Sequence, residues 1–156
     1  DIVVSLMPDS SSYSQDGGTE VRGELIRLTA PDFTEIKKFI TDYKNSKNIS
    51  SEKRLNCPSG IGISPDGNIF VADWDRDVSK VFKYSPEGEF LGVFTEDIGN
   101  PNDLEVGSNG VVYVTTSVFN GMEATKGALR RYSLDGTQKR VLTRPGVWAI
   151  ALCGGK

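Results

Sequence analysis

The sequence of 156 residues contains no histidine. From its own residues the chain therefore cannot form a Ser-His-Asp or Cys-His catalytic centre, and it cannot hold zinc or iron through imidazole ligands. Any chemistry that the chain performs must use carboxylates, amides, hydroxyls or lysine side chains.

Long apolar runs and strongly basic segments are also missing. No stretch approaches the roughly 20 consecutive apolar residues that a membrane-spanning helix needs. The net charge is −3, which argues against nucleic acid as the partner. Only two cysteines are present, Cys57 and Cys153, and they are predicted to be unpaired structural thiols, with a disulfide between them as the alternative. With 37% hydrophobic residues, 25% charged residues and 17 glycines, the composition is that of a folded globular domain.

What the sequence does contain is a repeated phrase. Residues 58–73 read PSGIGISPDGNIFVAD and residues 101–115 read PNDLEVGSNGVVYVT, so that the second copy begins 43 residues after the first. Each copy consists of short strands around a Gly-centred turn. A repeat of this length and pattern is typical of a β-propeller blade. The predicted fold class is therefore all-β, a partial β-propeller of about three four-stranded antiparallel blades.

The chain divides into two complete blades and two partial ones. The complete blades are predicted at 58–95 and 101–143. The partial blade at 1–40 lacks its innermost strand, and 41–57 form a connecting loop. Residues 147–156 contain the first, innermost strand of a further blade, predicted at 147–152.

About three blades are fewer than the roughly four to eight of a complete propeller. The repeat therefore predicts a piece of a longer, six-bladed ring. The alternative is self-assembly, because the last strand and the first strands occupy consecutive positions of one blade. Two copies could then complete each other's blades, and this homodimer would close a six-bladed ring without exposed sheet edges.

The connections between strands predict where a ligand binds. Strands in a blade alternate in direction, so the first-to-second and third-to-fourth turns share one end of the propeller, and these turns are minimal. The opposite end carries the insertions, loops 7–22, 41–57 and 117–127. Three long loops on one face predict a binding face, the alternative being length variation in solvated loops. The candidate ligand-binding residues on this face are Phe119, Asn120, Met122, Glu123, Trp74 and Asp75.

One family resemblance rests on the first copy of the phrase. Residues 58–73, followed by Val-Phe-Lys-Tyr at 81–84 and Gly-Glu-Phe-Leu at 88–91, resemble an NHL repeat of the TolB-like six-bladed propellers. Members of that family mostly bind proteins, RNA or peptides, and a few relatives are enzymes. The resemblance implies a binding scaffold for a protein or a small molecule. No membrane partner is expected, because no apolar stretch is long enough to span a bilayer.

The second copy of the phrase is similar to a different group. Pro-Asn-Asp-Leu at 101–104 and Gly-Val-Val-Tyr-Val-Thr at 110–115 resemble the gluconolactonase/regucalcin group of calcium-dependent hydrolases. This resemblance implies calcium as a cofactor, Asn102 as a metal ligand in the central channel and Asp103 as a catalytic base in lactone or ester hydrolysis. The equivalent openings hold Ser59 and Gly146, where those enzymes have further ligands, and turn capping is the alternative role of Asn102.

Overall fold

The computed structural model describes residues 2–6, 24–28, 36–40, 55–75, 78–96, 98–120, 123–143 and 147–153. Within these ranges the chain forms β-strands and no helix, and the strands make three antiparallel sheets. Sheet A has the order β1 (Ile2–Leu6), β2 (Glu24–Leu28), β3 (Ile36–Ile40). Sheet B has the order β4 (Cys57–Ile63), β5 (Ile69–Trp74), β6 (Lys80–Tyr84), β7 (Phe90–Glu96). Sheet C has the order β8 (Asn100–Val106), β9 (Val112–Asn120), β10 (Glu123–Tyr132), β11 (Gln138–Thr143). Two four-stranded antiparallel sheets and a three-stranded one confirm the predicted fold class, a partial β-propeller.

The structure has no membrane-spanning helix among the residues that it describes.

Sheet B is buried on both faces because its second strand is apolar at four consecutive positions, 69 to 72. Ile69 and Val71 point to one face of β5, and Phe70 and Ala72 point to the other, since successive side chains of a strand alternate. All four are at most 1% exposed. A strand that is apolar on both faces is expected in a sheet that packs between two others. Sheet B is such a sheet, because β4 contacts both β1 of sheet A and β8 of sheet C.

The two faces of sheet B belong to two separate core clusters. One cluster fills the space between sheets B and C, and its buried members are Phe70, Ala72, Val81, Ile98, Leu104, Val106, Val112, Val114 and Tyr132. Phe94 packs against this cluster and meets Phe70 edge-on, with ring centroids 4.9 Å apart. The other cluster lies on the opposite face of sheet B and contains Leu55, Ile69, Val71, Phe82 and Tyr84. Sheets B and C are therefore joined by a continuous apolar core.

The innermost strands of sheets B and C approach each other unusually closely. A Cβ atom added to Gly60 would lie 2.4 Å from the Leu104 backbone nitrogen and 2.6 Å from the Asp103 carbonyl carbon. The β8 backbone therefore rests directly on β4, where a side chain would hold it away. This contact sets the spacing of the two sheets at their inner edge.

Four tight turns share one end of sheets B and C. They cover residues 64–68, 85–89, 107–111 and 133–137, and each is closed by two backbone hydrogen bonds. In the first turn Gly67 has φ +84°, in the left-handed region that favours glycine. The predicted minimal turns between first and second strands and between third and fourth strands are therefore confirmed, and we call this end the turn end. The opposite end, where β4 and β8 begin, we call the connection end.

The predicted loop at 117–127 is wrong, because the structure extends both flanking strands into it. β9 continues to Asn120 and β10 starts at Glu123. Phe119 pairs with Ala124, and Asn120 pairs with Glu123. The segment is thus a β-hairpin that continues sheet C past the equivalent point in sheet B, where β5 ends at Trp74. Backbone pairing between the two antiparallel segments satisfies donors and acceptors that a loop would leave to water.

The predicted innermost strand at 147–152 also differs from the structure. Residues 147–153 have no regular secondary structure. A β-strand requires a neighbouring strand to pair with, and no described strand lies in position to be the second strand of this blade. The segment is instead fixed by side chains of sheet C, as described below.

The first sheet matches the prediction of a blade without its innermost strand. Sheet A has three strands, and β1 lies against β4 just as β5 lies against β8. The second strand of one blade thus contacts the innermost strand of the next in both cases. β1 therefore corresponds to a second strand, and none of the described residues pairs with its other edge.

Candidate functional site

The innermost strands β4 and β8 open with the same irregularity at the connection end. In sheet B the pairing jumps from Pro58–Asp73 to Gly60–Ala72. In sheet C it jumps from Pro101–Thr116 to Asp103–Thr115. One residue is therefore left unopposed at the start of each strand. Such a bulge redirects the side chain of the extra residue.

The unopposed residues of the two bulges are Ser59 and Asn102, and their side chains form hydrogen bonds with different partners. The Ser59 hydroxyl donates to the carbonyl of Ala72 within its own sheet, at 3.3 Å. The Asn102 Nδ2 donates to the Val147 carbonyl at 3.2 Å, and its Oδ1 accepts a hydrogen bond from the Ser117 hydroxyl at 3.0 Å. Asn102 therefore links sheet C to the segment 147–153.

Two neighbours of Asn102 bind the same segment. The Asp103 Oδ2 accepts a hydrogen bond from the Ile150 backbone N–H at 3.0 Å, and its Oδ1 accepts one from the Leu104 N–H at 2.9 Å. The Thr115 hydroxyl donates to the Trp148 carbonyl at 3.1 Å. Asn102, Asp103 and Thr115 together form a backbone clamp, a set of three side chains that bind main-chain groups of residues 147–150.

The predicted pair Asn102 and Asp103 is thus brought together, but in an arrangement unlike a calcium site. Calcium takes about six to eight oxygen ligands, several of them charged. At this place the described residues bring one amide and one carboxylate, and both already accept hydrogen bonds. Among the described residues no group of three or more Cys, Asp or Glu side chains could hold a metal. These residues therefore do not fit calcium by themselves.

A second carboxylate at the connection end, Asp73, was not among the site residues predicted from the sequence. Asp73 is 2% exposed and accepts hydrogen bonds from the backbone N–H groups of Asn56 and Cys57, the closest at 2.8 Å. It therefore holds the chain at the entry to β4. The sequence signal for it was the Asp that ends the first repeated phrase, where the second copy has Thr116.

Cys57 lies beside this carboxylate and is half-buried. Burial, and in second place the charge of Asp73, raise the pKa of the Cys57 thiol above its usual value. A raised pKa keeps the sulfur protonated and poorly nucleophilic at neutral pH. Both Cys57 and Cys153 are free thiols in the structure, as predicted.

The candidate ligand-binding residues Trp74 and Asp75 lie at the connection end and are half-buried. The Trp74 indole N–H donates to the Asn100 Oδ1 at 3.0 Å, which ties the end of β5 to the start of β8. The Asn56 Nδ2 donates to the Asp75 Oδ2 at 3.4 Å. Ser79 donates its hydroxyl to the Asp75 carbonyl at 3.2 Å. The two residues are thus part of a polar network on the predicted face.

The remaining candidates lie on the β9–β10 hairpin. The backbone positions of Phe119, Asn120 and Glu123 are those given above, while their side chains and all of Met122 lie outside the described residues. Loop 7–22 lies there too, as does loop 41–57 up to residue 54. The hairpin begins at the same end of the sheets as Trp74 and Asp75, because β5 and β9 both run toward the connection end.

Comparison with known proteins agrees with this geometry. The family model for the NHL repeat matches residues 55–84, which contain β4, β5 and β6. The predicted resemblance to NHL-repeat propellers is therefore confirmed over this part of the chain. No curated protein matches the sequence.

Two of the solved structures that match the chain are similar to most of it. One is a crystal structure of a nidogen/laminin complex, with TM-score 0.54, 20% identity, and coverage of 76% of this chain and 39% of that one. The other is a putative gluconolactonase, with TM-score 0.55, 21% identity, and coverage of 92% of this chain and 43% of that one. The chain thus spans about two fifths of the length of each neighbour, and the likeness concerns the fold.

Proposed function

We propose that this chain is part of a binding propeller that recognises a protein partner at its connection end. The observation that carries the proposal is the asymmetry of the two ends. The turn end has only tight turns of sheets B and C, each closed by two backbone hydrogen bonds. The connection end carries the β9–β10 hairpin, and the long connections 7–23 and 41–56 are predicted from the strand order to lie there as well. Binding residues concentrate on such segments when a rigid scaffold positions them.

The composition of the hairpin supports a protein partner. Its residues 117–126 read SVFNGMEATK, which combines Phe119 and Met122 with a single acidic residue and a single basic one. Aromatic residues and methionine are enriched at protein interfaces, and charged residues are depleted at their centres. The net charge of −3 argues against nucleic acid. One structural neighbour was itself solved in a complex of two proteins, nidogen and laminin.

The test begins with a binder selected from a displayed library against the immobilised chain. Its affinity is then measured by biolayer interferometry for the chain and for the variants Phe119→Ala, Met122→Ala and Glu123→Lys. We expect each variant to weaken binding at least tenfold, about 1.4 kcal/mol, because the hairpin is the proposed contact. The hairpin is paired through its backbone, so these substitutions leave its hydrogen bonds in place.

Matched controls come from exposed apolar side chains away from the connection end. Leu134 is 49% exposed at the turn end, and Leu91 is 53% exposed on β7. Leu134→Ala and Leu91→Ala should leave the affinity within about twofold. A binder that loses affinity at the controls, and not at the hairpin, would contradict the proposal.

A second candidate function is calcium-dependent lactone or ester hydrolysis. The alignment with the putative gluconolactonase favours it, because that alignment includes 92% of the chain. In this proposal Asn102 would be one calcium ligand, Asp103 would act as the base, and the missing oxygen ligands would come from outside the described residues. The backbone clamp opposes it, since both side chains already bind segment 147–153.

Calorimetry separates the two candidates. A hydrolase of this kind should give calcium-dependent heat, and Asn102→Ala should abolish that heat. Our first proposal predicts no calcium-dependent heat, and it predicts that Asn102→Ala changes thermal stability alone. Calcium binding that depends on Asn102, together with hydrolysis of a lactone panel, would establish the second candidate instead.

A further inference from the structure

Segment 147–153 takes up the position of an innermost strand. Gly60 and Gly62 of β4 lie against β8, next to Leu104 and Val106. In the same way Asn102 and Asp103 of β8 bind Val147 and Ile150, and a Cβ on Gly107 would lie 3.7 Å from Leu152. The segment therefore runs along β8 as β8 runs along β4.

The segment nevertheless lacks the surroundings of β4 and β8. Leu104 of β8 is fully buried, whereas the residue at the equivalent repeat position, Trp148, is 50% exposed and Leu152 is 42% exposed. Ala149, Ala151 and Cys153 are exposed as well. The segment is apolar and has the place of an innermost strand, yet it is open to solvent. It therefore represents one strand of an incomplete blade.

The face of sheet C beside the segment is likewise not covered by a described sheet. Thr115 lies on this face, because its hydroxyl reaches the segment, and Leu129 and Leu142 follow it across the pairing register. Leu142 is 44% exposed. On the corresponding face of sheet B, Phe70, Ala72 and Val81 are covered by sheet C and are fully buried.

Sheet A has an edge strand that could pair with such a segment. Its β1 pairs with β2 on one edge, from Ile2–Leu28 to Leu6–Glu24, and the other edge has no partner among the described residues. β1 has the place of a second strand, because it lies against β4 as β5 lies against β8. Within the described part of the chain, sheet A has no innermost strand, and segment 147–153 resembles such a strand.

We infer that the partner of this surface is a second copy of the chain. Segment 147–153 of one copy pairs antiparallel with the free edge of β1 in the other copy, as β4 pairs with β5. Sheet A of the second copy then covers the open face of sheet C. Applied twice, the contact is isologous and closes two three-sheet units into a ring of six blades. Closure pairs the edge of β1 that has no partner in the described ranges, and an exposed strand edge is a template for aggregation.

Light scattering after size-exclusion chromatography tests the inference on the full 156-residue chain. The chain has a mass of 17.0 kDa, and we expect a species of twice that mass from low micromolar concentration upward. A single 17.0 kDa species at about 100 µM would overturn the inference. A mass that keeps growing with concentration would also overturn it, because that result indicates open, non-closing contacts.

Two pairs of variants locate the contact. Ala149→Pro removes a backbone N–H from the pairing segment and should weaken the dimer at least tenfold. Its control is Leu134→Pro, because the equivalent positions of two sister turns already hold Pro65 and Pro86. Leu142→Lys should weaken the dimer as well, whereas Val141→Lys, which adds the same charge to the opposite face of β11, should not. Circular dichroism of each variant verifies folding, and a dimer that survives both Ala149→Pro and Leu142→Lys would refute the inferred contact.

Discussion

Replacing Gly60 by alanine is expected to lower the free energy of unfolding by about 3 kcal/mol. The added Cβ would lie 2.4 Å from the Leu104 nitrogen, 2.6 Å from the Asp103 carbonyl carbon and 2.7 Å from the Asp103 Cα. These are backbone atoms, so no side-chain rotation can relieve the clash, and the two sheets must move apart. Moving them apart would loosen the core between sheets B and C, where Leu104 is fully buried. Chemical denaturation followed by tryptophan fluorescence measures the loss.

Gly62→Ala provides a matched control for this prediction. It is the same substitution on the same strand, two residues away and on the same face. Its Cβ would meet mainly the ends of side chains, the Leu104 Cδ2 at 2.5 Å and the Val106 Cγ2 at 2.8 Å. Side-chain ends can shift at smaller cost, so we expect a loss of about 1 kcal/mol. Equal losses at the two positions would mean that the close approach of the β8 backbone is not the cause.

Asp73→Ala is expected to cost a similar amount, about 3 kcal/mol. The Asp73 carboxylate is 2% exposed and accepts hydrogen bonds from two backbone N–H groups, at 2.8 to 3.0 Å. Alanine would leave the Asn56 and Cys57 donors without that acceptor at the start of β4. Asp73→Asn retains one carbonyl acceptor and should recover part of the loss. Thermal unfolding monitored by circular dichroism would rank the three proteins.

The control for Asp73 is a carboxylate with a similar number of hydrogen bonds in a solvated turn. Asp66 accepts hydrogen bonds from the Ser64 hydroxyl and the Asn68 Nδ2, and it is exposed. The Ser64 hydroxyl is the main reason why the pKa of Asp66 is lowered. Water can replace the lost acceptor there, so Asp66→Ala should destabilise the protein much less than Asp73→Ala does. Losses of the same size at Asp66 and Asp73 would show that burial of the Asp73 carboxylate is not the source of its effect.

The two substitutions also bear on how the proposed function depends on the fold. Gly60 fixes the spacing of two innermost strands, and Asp73 fixes the chain where it enters β4. Both lie at or near the connection end, where the proposed binding face is. A rigid base at this end would present the β9–β10 hairpin in a defined orientation.

The polar residues at the start of β8 form contacts that their motif does not predict. The phrase Pro-Asn-Asp-Leu resembles a metal-binding opening in a group of hydrolases. In the structure Asn102 and Asp103 bind the backbone of segment 147–153. An amide and a carboxylate can bind either a metal ion or backbone groups, and which of the two they bind depends on the groups that lie beside them. The neighbour here is some 45 residues away in sequence, beyond the reach of any local pattern.

The strand order of sheets B and C and their tight turns could be predicted from consecutive residues. Apolar residues on both faces of β5, and Gly67 at a turn that needs a positive φ, are local requirements, and local requirements are written in consecutive residues. The tertiary structure alone decided the length of the β9–β10 hairpin, the approach of β8 to Gly60 and the backbone clamp at Asn102. Each of these features depends on which segment, distant in sequence, lies next to the residues concerned. Those neighbours are defined only when the sheets have packed against one another.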